Sequence, residues 1–196
     1  MASSTSWVYA LRAETLAKLY LTRSRDLDIL TLSESTNRVQ YDLLVRVNGV
    51  GTIDTPEFGV EVKGISQPLE SNRWRSTVLR NLARWWDRSE DETTDQHLPI
   101  CLFVFNIDTE EGLYLWLREP HVEQNGYVKA YLSTNLPEGN GRQKTAISNG
   151  VRFEKLDKVA IDRIVDKVVE WYRARDRLLR QANGLAENSV PIYGKP

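Results

Sequence analysis

Apolar and polar residues alternate with two different periods along this chain, and the changes of period mark out its elements. Over 6–25 apolar residues recur at helical spacing (Tyr9, Ala13, Leu16, Ala17, Tyr20, Leu21), with Ser6 placed to cap the first turn. The period then falls to two, and 28–33, 40–47 and 58–64 read as strands. Asn48, Gly49 and Gly51 between the last two predict an antiparallel hairpin. The helical period returns over 72–88, after Pro68 and a capping Ser71, with Trp74, Val78, Leu82 and Trp85 on a stripe that Leu79 and Trp86 widen. The near-continuous apolar run 99–106 predicts a central strand buried on both faces. A strand over 112–118 follows, then short strands at 127–132 and 143–147 in a section rich in Asn, Gly and Pro. A long helix over 155–182 closes the pattern, with Leu156, Val159, Ala160, Val165, Val168, Val169 and Tyr172 on its apolar side.

The order predicts an α/β fold in which a mixed central sheet is flanked by helices. A length of 196 residues suits one domain, expected over 1–182 with a core at 6–118, a variable section at 119–150 and a loose tail at 183–196. Composition removes several classes. Hydrophobic residues are 41% and charged residues 27%, as in ordinary globular chains. The longest uncharged apolar stretch, 98–107, is too short to cross a bilayer, and no basic segment precedes an apolar run at the start. Cys101 is the only cysteine, so a disulfide framework and a Cys-rich zinc site are excluded, and a reducing cytoplasm is expected. His97 and His121 read as loop residues without partners at catalytic spacing. Any metal should then be a hard cation held by carboxylates. The net charge of −1 announces no global affinity for nucleic acid, although 18 of the 26 basic residues are arginine, the better partner for phosphate.

The hairpin carries the candidate chemistry. In 40–47 the odd positions Tyr41, Leu43, Val45 and Val47 are apolar and mark the core face, leaving Asp42 on the other. In 58–64 Phe58, Val60 and Val62 are apolar, and Glu61 and Lys63 share the opposite face. A turn near Gly51 and Thr52 makes paired residue numbers sum to about 103, which sets Asp42 opposite Glu61; a shift by two sets it opposite Lys63. In either register Asp42 reaches the pair, because opposed side chains stand about 4.5–5.5 Å apart. Two carboxylates and an ammonium at one spot suit phosphodiester hydrolysis. Asp42 and Glu61 would hold Mg²⁺, with the Val62 carbonyl as a third ligand, and Lys63 would orient the attacking water or stabilise the transition state.

The spacing of Asp42, Glu61 and Lys63 within YDLLVRVN…FGVEVKGISQ resembles the PD-(D/E)xK nuclease superfamily, the restriction-endonuclease-like fold. The element order over 6–107 resembles that family's α-β-β-β-α-β core, and the likeness covers about the first 110 residues. The resemblance implies a Mg²⁺-dependent nuclease, with Mn²⁺ able to substitute, acting on DNA. It also implies a homodimer or a subunit of a larger complex, and small bacterial members linked with restriction or anti-phage defence are the nearest in kind. By the same resemblance Glu14 on the first helix faces the site, and Gln67 lies near the metal or the scissile phosphate. Tyr41 stands where the family's nominal proline would be.

Plainer meanings exist for the same residues. Glu-x-Lys on a strand commonly marks a solvated face with weak cross-strand ion pairs. Arg80, Arg84 and Arg88 recur every four residues, as a phosphate-tracking ridge or a solvated face. Arg73 and Arg75 are better phosphate candidates, being near a helix N-terminus. Arg173, Arg175, Arg177 and Arg180 on the last helix bind DNA or are merely exposed. A nuclease-like module that binds nucleic acid or assembles through its long last helix, without cutting, is the alternative.

Overall fold

The computed structural model describes residues 4–24, 26–31, 41–89, 98–124, 128–134 and 152–182. Three helices lie among them: α1 (Ser4–Leu21), α2 (Asn72–Ser89) and α3 (Lys158–Ala182). The strands are β1 (Leu27–Thr31), β2 (Leu43–Val47), β3 (Glu57–Ile65), β4 (Ile100–Asn106), β5 (Gly112–Gln124), β6 (Val128–Thr134) and β7 (Glu154–Leu156). They form one mixed sheet in the order β1-β2-β3-β4-β5-β6, with β7 against the start of β5. Only β3 and β4 run parallel, and α2 supplies the crossover that parallel neighbours require.

Helices cover both faces. On one, α1 and α3 bury Ala13, Ala17, Ile161 and Val168 against Leu43, Val45, Phe58, Val60 and Phe103. On the other, α2 buries Trp74, Val78, Leu79 and Leu82 against Ile100, Leu102, Val104, Leu115 and Leu117. β4 feeds both layers, which is why it reads as an unbroken apolar run: all of its residues are buried. Trp74 is a core residue as expected; Trp116 and Trp171 are also in the core, and Trp7 is exposed.

Some boundaries differ from the reading of the pattern. α3 starts at Lys158 because 154–156 pair with β5, and the Asp157 carboxylate caps the helix by accepting from the Ala160 N–H at 2.9 Å. Val159, expected on the apolar side, falls in that first turn and is exposed. β5 runs on to Gln124, so His121 is a strand residue and not a loop residue. The expected strand 127–132 is β6. The expected strand at 143–147, the tail at 183–196, His97, and the side chains of Arg84, Trp85, Trp86 and Arg88 lie outside the described residues. The apolar stripe of α3 is spent on the sheet: nine of its residues, Ile161, Ile164 and Tyr172 among them, are buried. It is therefore not an open assembly surface. Exposed apolar side chains gather instead on α1, at Trp7, Val8, Leu11 and Leu19.

Candidate active site

β2 and β3 pair as Leu43↔Val60, Val45↔Phe58 and Arg46↔Glu57, which is the first of the two registers the hairpin allowed. Continued by one step, it brings Asp42 level with Glu61. The ladder gives way there. The Asp42 N–H donates to the Val60 carbonyl at 2.9 Å, and the Asp42 carboxylate accepts the Val62 N–H at 2.7 Å. Asp42 thus replaces a strand partner for β3 and is fixed over the Glu61-Val62-Lys63 stretch by main-chain hydrogen bonds.

The strict alternation expected of 40–47 fails at this point. Leu43, Val45 and Val47 face α1 and α3, but Tyr41 is buried in the layer beneath α2. Gly59 makes room for it, since a Cβ there would lie 2.6 Å from the Tyr41 ring. A bare backbone lets that ring approach β3 closely. Gly64 does the same at the other end of the motif, where a Cβ would sit 2.6 Å from the Tyr9 carbonyl oxygen of α1. Two glycines therefore bracket Glu61 and Lys63, and let a ring on one side and a helix on the other close in.

Glu61 is buried at 8% exposure, and its carboxylate pairs with the Lys63 ammonium. Burial pushes the Glu61 carboxyl up to about 7; the Lys63 charge opposes this, and the adjoining Asp42 carboxyl adds to it. For Lys63 burial acts downward, but Glu61, Asp42 and Glu14 outweigh it, and its pKa lies above the usual lysine range. Lys63 is therefore an ammonium at neutral pH, suited to steadying negative charge rather than to taking a proton. Glu14, half-buried on α1, reaches this cluster through the field it exerts on Lys63.

Three carboxylates, those of Glu61, Asp42 and Glu14, thus act on the single Lys63 ammonium, and of the four groups Glu61 is the most deeply buried. Among the described residues no group of three or more His, Cys, Asp or Glu stands at metal-holding distances. Mg²⁺ seldom requires such a group, since it commonly takes one or two carboxylates and completes its shell with water and substrate phosphate. The donor set of Asp42 and Glu61 fits that habit. Val62 points its side chain into the core, and its N–H is committed to Asp42.

The outlying candidates are distributed unevenly. Gln67 is exposed in the loop after β3, and its main-chain carbonyl accepts from the Asn106 side-chain amide at 3.0 Å. Asn106, buried at the end of β4, also accepts from the Asp108 and Thr109 N–H groups, so it clamps the β4–β5 turn to the loop that carries Gln67. Nothing in the local pattern sets this asparagine apart. Arg73 is exposed at the start of α2, where the Ser71 hydroxyl accepts its N–H at 3.3 Å. Arg75 lies over the rings of Trp74 and Phe153, at 5.6 and 5.7 Å from their centroids. Its Nε is buried and without a hydrogen-bond partner among the described residues. Arg80 is exposed further along the helix. Cys101 is fully buried and its thiol is pushed up by that burial, as an inert core residue should be. His121 does have a partner, the Ser133 hydroxyl at 2.7 Å, but the Glu119 carboxylate lies 3.8 Å from the same ring nitrogen. The acid that orients a catalytic histidine bonds the other nitrogen, so this is not a hydrolase triad.

No family model, curated protein or solved structure matches this chain. The functional reading therefore rests on the geometry just described.

Proposed function

We propose that this chain is a metal-dependent nuclease of the PD-(D/E)xK type, hydrolysing phosphodiester bonds, with DNA as the first substrate to test. The observation that carries the reading is the convergence of Asp42, Glu61 and Lys63 in one acid-rich, partly buried cluster at the break between β2 and β3. The element order α1-β1-β2-β3-α2-β4 supports it, being the order the resemblance implies.

Asp42 and Glu61 would hold a divalent ion, which when bound would acidify a water and offset phosphate charge. The Val62 N–H keeps the Asp42 carboxylate aimed, so one of its oxygens is committed to positioning. Lys63 directs its ammonium at the attacking water or a phosphate oxygen, and Glu14 helps keep it charged. Arg73, Arg75 and the N-terminus of α2 provide a cationic flank for the neighbouring phosphates. The test is cleavage by the purified chain of single- and double-stranded DNA and RNA in Mg²⁺ or Mn²⁺. Cutting that is lost in Lys63→Ala, with nucleic-acid binding retained, supports the reading; an uncut panel with either ion defeats it.

A second reading, assembly or binding without cleavage, draws on the exposed Trp7, Val8 and Leu11 of α1. These would seat a second copy or a subunit of a larger complex, including one in phage defence. Sedimentation of the chain and of Trp7→Glu separates the two, since a monomer in both removes the assembly reading.

A further inference from the structure

A groove of about 420 Å³ runs between the edge strand β6 and the last turns of α3, and shares no residue with the Asp42–Glu61–Lys63 site. Its walls are Ala130 and Leu132 on β6 and Trp171, Arg175, Leu178 and Leu179 on α3. That volume lies in the range of small-molecule pockets. Three features set its chemistry. The Arg175 guanidinium lies over the Trp171 ring, 4.7 Å from its centroid, and no carboxylate among the described residues pairs with it. Trp171 is 4% exposed, and its indole N–H has no hydrogen-bond partner among the described residues. Tyr131 and aliphatic side chains make up the remaining wall.

The aromatic faces in the wall are already taken. Arg175 lies over Trp171, while Tyr131 stacks on His121 with centroids 5.2 Å apart and carries the Lys129 ammonium 4.7 Å from its own centroid. The Tyr131 hydroxyl donates to Glu123 at 2.8 Å. A stacked base therefore finds no open ring, whereas an alkyl or acyl body finds three leucines.

We propose that this groove binds a small monocarboxylate with an apolar body, its carboxylate on the Arg175 fork and its chain along Leu132, Leu178 and Leu179. Arginine suits a planar carboxylate because its fork donates two parallel hydrogen bonds. This site is independent of the nuclease reading and stands or falls without it.

The experiment is calorimetric titration of the full chain with octanoate, octanamide and inorganic phosphate. Octanoate should bind with one-to-one stoichiometry, and octanamide and phosphate each at least about tenfold more weakly, since one lacks the charge and the other the apolar body. Arg175→Gln should weaken octanoate about tenfold or more. Leu179→Glu, at an exposed position, should weaken it as strongly by placing a like charge in the groove, and it keeps the test decisive should loss of the Arg175 stack disturb folding. Absence of octanoate binding at 10 mM, equal binding of octanamide, or unchanged affinity in a folded variant of either kind would overturn the proposal.

Discussion

Glu61–Lys63 on β3 and Glu119–Lys167, which ties β5 to α3, are alike as contacts. Each joins a half-hidden carboxylate to a lysine about a third exposed: the side chains show 10% and 37% in the first pair and 22% and 36% in the second. They differ in what surrounds them. Glu119 meets one lysine, Lys167, with the His121 ring 3.8 Å from the Glu119 carboxylate, and one carboxylate faces one ammonium. Around Lys63 stand Asp42 and Glu14 as well as Glu61, and the cluster carries an excess of negative charge. The sequence distance between partners does not distinguish a structural ion pair from a site. The number of carboxylates gathered on one lysine does differ, and buried charge in excess is costly to keep, which is why the two pairs should respond differently to substitution.

The comparison can be broken most sharply by removing each lysine in turn. Lys63→Ala should lower cleavage about 100- to 1,000-fold, the usual cost of deleting a donor aimed at developing charge, while Lys167→Ala leaves it within about twofold. Single-turnover rates on the cleaved substrate measure this, and equal losses would remove the distinction between the pairs.

The next effect is on stability against pH. The folded Glu61 carboxyl titrates at about 7 against an ordinary value of 4.5, so between those values the folded state holds a proton that the unfolded chain has released. Stability should therefore fall as pH rises from about 4.5 to about 7 and then level off, by up to roughly 3 kcal/mol from this group. Urea titrations at several pH values measure the slope, which Glu61→Gln should flatten. Mn²⁺ should restore stability at pH 8 by about 1.4 kcal/mol at ten times its dissociation constant, and Asp42→Ala should abolish that gain.

Smaller again is the cost of crowding the backbone beside the motif. Gly64→Ala puts a Cβ against the Tyr9 carbonyl and should destabilise by about 1–3 kcal/mol, moving α1 and Glu14 away from Lys63. A thermal melt with an activity measurement checks both consequences. The smallest effect belongs to the balanced pair: Lys167→Met should change stability by less than about 1 kcal/mol.

Much of this arrangement was legible along the chain. A short hairpin admits few registers, so pairing 40–47 with 58–64 set Asp42 level with Glu61, although the alternation that assigned its face breaks at Tyr41 and main-chain hydrogen bonds to β3 hold it there instead. The unbroken apolar run at β4 likewise required helices on both faces of the sheet. These conclusions follow from period and local pairing, which act over a few residues. What tertiary structure alone decided arises between segments far apart in the chain. The Tyr41 ring on Gly59, the Tyr9 carbonyl over Gly64 and the Arg75 guanidinium between Trp74 and Phe153 are packing outcomes that no single segment specifies. The proton affinity of Glu61 belongs with them, because it sums burial and neighbouring charge, and both exist only after the chain has closed around that residue.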